Sequence, residues 1–316
     1  MHEPAEEGPR LGPIRLPEPF FALPDLSRRM LDGLRQSMPH GLLPAPLALP
    51  PSLGRIGTLE VRLAAERREV KKAQKLRYKV FYEEMSAIPD LKAQVSRRDR
   101  DAFDDVCDHL LVLDHAAPAR SGGPAIVGTY RLLRQDVARR SCGFYAASEF
   151  DIAPLIARHS GLNFLELGRS CVLPPYRTRR TVELLWHGIW SYVRRHGIDV
   201  MIGCASLEGA DPQRHALPLS FLHHHARAPQ AWQVCALPDR RVEMNRLDMG
   251  TINAKSALHV LPPLLKGYLR LGAYVGDGAV IDRQFGTTDV MIVLPVGAIN
   301  ERYVNHYGVD ATRYSA

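Results

Sequence analysis

The chain has 316 residues, 46% of them hydrophobic and 24% charged, with a net charge of +7 and a pI near 9.3. That is enough apolar material for one large or two small domains, whereas the longest apolar runs, such as residues 289–296, fall far short of the roughly 20 residues of a membrane-spanning helix. No secretory signal is legible, so a cytoplasmic protein is expected, and the five single cysteines (Cys107, Cys142, Cys171, Cys204, Cys235) lack any CxxC pair, which argues against a disulfide framework and against a zinc or other metal site.

Residues 1–54 hold close to half of the chain's 24 prolines and read as a tail rather than a domain. Within it, residues 26–38 place Leu26, Met30, Leu34 and Met38 at helical spacing beside Arg28, Arg29 and Arg35, a pattern suited to docking on the protein's own body or on a membrane surface. From residue 55 to 316 the pattern alternates as one α/β domain. Strands are predicted over 58–64, 109–114, 125–133, 163–172, 199–204, 278–282 and 289–295. Helices are predicted over 66–85, 149–159, from about 181 to 196, and over 261–271, with a looser stretch at 207–260. The expectation is a mixed sheet with helices on both faces.

Basic residues cluster at 67–75, 97–100, 139–140 and 177–180. Each cluster reads either as a solvated helix face or as a surface for an acidic partner such as nucleic acid, anionic lipid or an acidic carrier protein. The last cluster is the most informative. In LELGRSCVLPPYRTRRTVELLWHGIWSYV (165–193), Pro174 and Pro175 end a strand, and a helix follows with Val182, Leu185, Trp186, Ile189, Trp190 and Val193 on one side. Arg177, Arg179, Arg180 and Thr181 therefore fall where a new helix presents unpaired amides and the positive end of its dipole, a natural seat for an anion. Gly197, after Arg194, Arg195 and His196, supplies the stop.

Further charges interrupt apolar faces. Arg77 lies in the middle of the stripe formed by Val70, Ala73, Val80 and Phe81, and needs either Glu84 as an internal partner or a ligand. Asp104 and Asp108 stand four residues apart, Arg131 sits within a strand, and Glu166 and Arg169 share the strand before the basic loop. Gly168 is where a bulge would bring residues three apart onto one face. Cys171 lacks a recognisable His/Asp partner, and His223, His224 and His225 cannot share one face of an element. The first reads as a core thiol and the second is no metal site.

The strand, basic loop and helix resemble the acyl-thioester binding motif of the GNAT acyltransferase superfamily. LRYKVF (76–81), FDDVCDH (103–109), VGTYRLL (127–133) and ELGRSCV (166–172) further resemble two branches that use acyl carrier protein, the acyl-homoserine-lactone synthases and the ornithine N-acyltransferases of ornithine lipid synthesis. The second resemblance is much closer, extending through LSFLHHHARAP (219–229) and residues 262–296 and covering about 56–308. It implies a mostly antiparallel sheet with a splayed strand pair. It also implies transfer of a long, 3-hydroxylated acyl group from acyl carrier protein to the α-amine of L-ornithine, giving lyso-ornithine lipid. Alternatives are another amino acid acceptor, homoserine-lactone synthesis, or a haemolysin-like membrane-active protein without catalysis.

On this reading Glu166 is the general base and Arg169 its catalytic neighbour. Arg77, Phe81, Asp104, Asp108 and Arg131 bind substrate, while Cys171, Val172, Arg177, Arg179, Arg180 and Thr181 hold the phosphopantetheine end of the donor. No tightly bound cofactor is implied, since the acyl-phosphopantetheine is a co-substrate, and nucleic acid is not among the expected partners. A lipid product adds the inner-membrane surface to them. The loop lacks the glycines of the usual R/Q-x-x-G-x-G/A pattern, leaving less room for a pyrophosphate and favouring a carrier protein over coenzyme A.

Overall fold

The computed structural model describes residues 52–85, 87–118, 123–300, 303 and 314. The proline-rich stretch up to residue 51, with its amphipathic segment 26–38, lies outside the described residues. Eleven strands are found among the described residues. They are β1 (Gly54–Ile56), β2 (Leu59–Leu63), β3 (Asp108–Pro118), β4 (Pro124–Arg134), β5 (Phe150–Asp151), β6 (Phe164–Val172), β7 (Val200–Glu208), β8 (Cys235–Ala236), β9 (Arg241–Val242), β10 (Tyr274–Asp282) and β11 (Thr287–Pro295). They form one open mixed sheet in the order β1-β2-β3-β4-β6-β7-β11-β10-β8-β5, with β9 paired to β10. Pairing is antiparallel except for β6 with β7 and β8 with β10.

The helices are α1 (Arg67–Tyr78), α2 (Leu91–Ser96), α3 (Gln135–Arg140), α4 (Ala153–Arg158), α5 (Arg179–His196), α6 (Ala216–His225), α7 (Ala254–Val260) and α8 (Pro263–Arg270). On one face of the sheet, Leu184, Ile189, Trp190 and Val193 of α5 pack on Val61, Leu110, Leu132 and Leu165. On the other, Phe164, Ile202, Val280 and Met291 lie against Phe144, Ala146, Phe150 and Leu155. Gly188 lets α5 lie close to the sheet, because a Cβ there would come within 2.7 Å of Val61 Cγ2. The α5 stripe differs from the expected one at its start, where Val182 is exposed, and Gly197 closes the helix in the left-handed conformation at φ 57°.

Two predicted helices are shorter than expected. The helix over 66–85 is α-helical only to Tyr78, and a π-helical turn, Lys79–Glu84, continues it. The helix over 149–159 is β5 followed by the short α4, whose start Pro154 fixes, and a 3-10 turn (Tyr145–Ser148) precedes them. The stretch 207–260 holds α6, β8, β9 and α7; the apolar residues of α6 are not confined to one stripe, so periodicity gave no sign of it.

One local feature dominates the centre of the sheet. β6 and β7 pair in parallel only at Phe164–Val200, Leu165–Met201 and Glu166–Ile202. Beyond that point β6 stays paired with β4 as far as Val172 and β7 with β11 as far as Glu208, so the two strands part. At the fork, a Cβ on Gly203 would stand 2.3 Å from the Leu167 carbonyl oxygen, so only glycine permits the approach.

Candidate active site

Just past the fork, β6 carries a bulge. Thr129 faces Cys171 and Arg131 faces Gly168, so the stretch from Gly168 to Cys171 is one residue longer than its partner on β4. The bulge begins at Gly168, where the sequence suggested one, and its left-handed residue is Arg169 (φ 49°). A side chain in that region costs roughly 1–2 kcal/mol, offset here by what Arg169 reaches. Its guanidinium lies over the rings of Tyr145 (4.8 Å) and Phe285 (4.6 Å) and faces Asp99 (3.4 Å) and Asp101 (3.3 Å).

Glu166 precedes the bulge and lies under the 3-10 turn Tyr145–Ser148, only 5% exposed. Its two oxygens accept the backbone N–H groups of Tyr145 and Ala146, both at 2.7 Å. Burial raises its pKa above the usual carboxylate range, while those amides, Arg131 and Arg169 pull the other way.

Around this pair runs a chain of alternating charges. Arg77 is fully buried and is held by Asp99 (2.8 Å) and Asp104 (2.8 Å), with a further bond to the Asp99 carbonyl (2.6 Å). Its partners are therefore two aspartates and not Glu84, which instead forms a two-pronged pair with Arg177 at 2.5 and 2.9 Å. Burial alone would raise the Asp104 carboxyl, but Arg77 and Arg131 hold it below its usual value. Arg131 bonds Asp101 (2.6 Å) and lies over the Phe103 ring. Phe81 meets Phe285 edge-on at 5.6 Å. Asp108 does not join this group; it accepts from Tyr192 Oη (2.6 Å) and Arg134 (3.4 Å), next to the C-terminal end of α5.

Two neighbouring clefts open onto the group. One, of about 330 Å³, is lined by Tyr82, Asp99, Asp101, Phe103, Tyr145 and Arg169 among others. The second, of about 600 Å³, shares Tyr145 and Gln284 with the first and adds Glu149, Asp282 and Arg240. Glu166 lines neither wall; its link to both clefts is Tyr145, which lines each of them and whose amide donates to the Glu166 carboxylate.

The basic loop opens α5 as anticipated, though two residues earlier than the sequence suggested. Thr178 caps the helix by accepting from the Thr181 amide, and Arg179 and Arg180 occupy its first two positions with exposed side chains. Arg177 reaches back to Glu84 and to the Val172 carbonyl (3.0 Å), so its charge is shared, and Arg179 pairs with Glu183 one turn on. The Cys171 thiol packs with Leu76 and Val80, and burial pushes its pKa up, as for a core thiol.

Sequence reasoning missed two sets of residues. Asp99 and Asp101 tie Arg77, Arg131 and Arg169 together, and the alternation in RRDRD (97–101) was the available signal. Glu149, Asp282 and Asp289 converge with oxygens within 4.8 Å of one another, the one such group of potential metal-ligating side chains among the described residues. Burial, then Asp289, push Glu149 up to about 7. Their wide sequence separation hid them, although Asp282 ends one apolar strand and Asp289 immediately precedes the apolar run of the next.

A sheet forked beside a buried carboxylate, with a basic helix start after the fork strand, defines a GNAT-type acyltransferase, and residues 76–187 match the acetyltransferase (GNAT) domain family. The chain is 57% identical over 264 residues to the L-ornithine N(alpha)-acyltransferase of Rhizobium meliloti (strain 1021), covering 84% of this chain and 89% of that protein. It is 56% identical over 260 residues to the protein of the same name from Agrobacterium fabrum (strain C58 / ATCC 33970), covering 82% and 88%. The chain belongs to the L-ornithine N(alpha)-acyltransferase family. Among solved structures, an N-acyl amino acid synthase from uncultured soil microbes is similar over 75% of this chain and 91% of its own, with 11% identity and a TM-score of 0.41.

Proposed function

We propose that this protein transfers a long-chain, 3-hydroxylated fatty acyl group from acyl carrier protein to the α-amine of L-ornithine, giving lyso-ornithine lipid. The observation that carries the reading is the 57% identity over 84% of the chain to a relative whose name specifies both ornithine and its α-nitrogen.

The geometry supports the steps the reaction requires. The thioester enters the gap where β6 and β7 part, with the phosphate of the carrier's pantetheine arm at the start of α5, among its first amides and the Arg177, Arg179 and Arg180 side chains. Thr181, expected from the sequence to share that seat, is buried with its amide and hydroxyl turned to Thr178, so it braces the turn from within. Because no glycine interrupts residues 177–182, side chains crowd that turn, which favours a single phosphate over a pyrophosphate. The α-amine attacks the thioester carbonyl carbon, the C–N bond forms and the C–S bond breaks. The amine proton passes to Glu166, directly or through one water, on lone pairs that the Tyr145 and Ala146 amides leave unused. The departing sulfur leaves as the carrier's thiol once protonated. Of the two candidate amides, that of Cys171 is turned to β4, so the Val172 amide, on the other side of β6, steadies the oxyanion. Arg169 and Asp101 line the cleft and orient the amino acid, while Arg77, Asp104 and Arg131, all buried, brace that wall from behind, and Phe81 supports it through Phe285.

Attachment to the inner-membrane surface belongs to the same proposal. Its support is an exposed apolar group, Ile88, Leu91 and Val95, beside Lys92 and next to Asp90 and Ala93 of the smaller cleft.

The deciding experiment supplies purified protein with acyl carrier protein bearing a labelled acyl chain and, separately, ornithine, lysine, glutamine and glycine. An amide with ornithine above the others is the expected product. Absence of amide with every amine ends the enzyme reading, and a preference for another amino acid moves the substrate while leaving the chemistry in place.

A further inference from the structure

The three acids missed by sequence reasoning lie on the same face of the sheet as Glu166. Asp289 on β11 and Asp282 on β10 follow the alternation of Met291 and Val280, which face the core formed with Phe164 and Ile202. Glu149 immediately follows the 3-10 turn whose first amides hold Glu166. Glu149 and Asp282 line the larger cleft, and Asp289 lies behind them, 6% exposed, with an Oδ1 that has no hydrogen-bond donor. Against three carboxylates the nearby donors are mostly neutral. Asp282 Oδ1 accepts the Gln284 and Phe285 amides (2.8 and 3.0 Å), the Ser206 and Thr287 hydroxyls lie beside Asp289, and the Cys204 thiol donates to one Glu149 oxygen at 3.4 Å, while the Arg240 guanidinium stands 3.6 Å from the other. A buried acidic excess of this kind is unfavourable until a cation joins it.

We propose that Glu149, Asp282 and Asp289 form the seat of the acceptor's distal ammonium group, so that the enzyme selects an α,ω-diamino acid over its mono-amino counterpart. The inference rests on ornithine being the acceptor. Proximity agrees with it: the Cys204 thiol, which donates to Glu149, is also acted on by Asp289 and Glu166, so the trio and Glu166 share one neighbourhood. With the α-amine beside Glu166, the δ-ammonium then arrives at the trio. A divalent metal fits less well. It would need about six oxygen ligands, twice what these side chains offer singly, and would sit beside the Arg240 guanidinium.

The test compares kcat/KM for L-ornithine with that for L-norvaline, which keeps the carbon chain and lacks the distal amine, using acyl-loaded carrier protein as donor. Wild-type protein is expected to prefer ornithine by at least about 100-fold, and Glu149→Gln combined with Asp289→Asn to bring that ratio toward one, mostly through KM. Near-equal use of both acceptors by the wild type overturns the subsite whatever the variants do, and so does a ratio that survives the double substitution. Loss of ornithine turnover on chelation, restored by a divalent ion, would assign the trio to a metal instead. No amide with either acceptor would strike the underlying ornithine reading, and the subsite with it, whereas ornithine acylated without discrimination strikes the subsite alone.

Discussion

Glu166 and Glu149 are both buried and both pushed up by desolvation, yet their surroundings assign them different work. Glu166 is gripped by two backbone amides, which fix its position and temper its rise, as suits a group that takes one proton at a defined point. Glu166→Gln is expected to lower kcat by about 10²–10⁴-fold with little change in KM for the acyl donor. The acid limb of the wild-type pH–rate profile should vanish with it; a limb that persists would remove Glu166 as the base. Glu149 has no such amide pair and is surrounded by Asp282, Asp289, Cys204 and Arg240. Because its folded-state pKa is near 7 and its ordinary value 4.5, the native state binds more protons than the unfolded one between those values. Stability from this group is therefore full below about pH 4.5 and is lost as pH rises through 7, a difference on the order of 3 kcal/mol at most. Calorimetry of wild type and Glu149→Gln without acceptor should show the variant's melting temperature gaining on the wild type from pH 5 to pH 8. A constant gap across that range would contradict the assignment.

The fork between β6 and β7 depends on one glycine. Gly203→Ala would drive a Cβ into the Leu167 carbonyl, and overpacking of this kind costs about 1–3 kcal/mol. The expected result is a lowered melting temperature, with turnover falling more than that loss explains because Glu166 and the bulge shift with β6; unchanged turnover would show that the fork tolerates widening. How far these elements were legible follows from where their causes lie. The α5 stripe, its Gly197 stop and the apolar runs of β4, β6 and β11 are local patterns, so the sequence carries them. The approach of Gly203 to Leu167, the left-handed turn at Arg169 and the convergence of Glu149 with Asp282 and Asp289 are consequences of strand order. No spacing rule reaches across them. Arg77 shows the boundary well: its burial was readable from the wheel, but its partners were not, because Asp99 and Asp104 come from the loop leading into β3 while Glu84 turns away to Arg177.

At the scale of the molecule, the proposed reaction requires a lipid product to leave a protein in which no helix among the described residues is long and apolar enough to cross a membrane. The exposed apolar group offers a route. Ile88, Leu91 and Val95 are 67%, 78% and 87% exposed, and Leu91 and Val95 stand one turn apart on α2 with Lys92 between them. Asp90 and Ala93 of the same segment line the smaller cleft, so a membrane touching α2 would lie at the mouth through which an acyl chain could pass. Shallow insertion of such residues is stabilised by buried apolar area and by attraction of the basic chain, at net charge +7, to anionic lipid. Burying two such side chains is worth roughly 1.5–3 kcal/mol each, so Leu91→Asp with Val95→Asp should weaken binding to phosphatidylglycerol-containing vesicles by well over tenfold. Both positions are solvent-facing, so the melting temperature should stay within a few degrees of wild type. Cosedimentation at increasing salt separates the contributions: the charge-dependent part falls for both proteins, while the part lost by the double variant persists in the wild type. Equal cosedimentation of the two proteins at every salt concentration would place the membrane contact elsewhere.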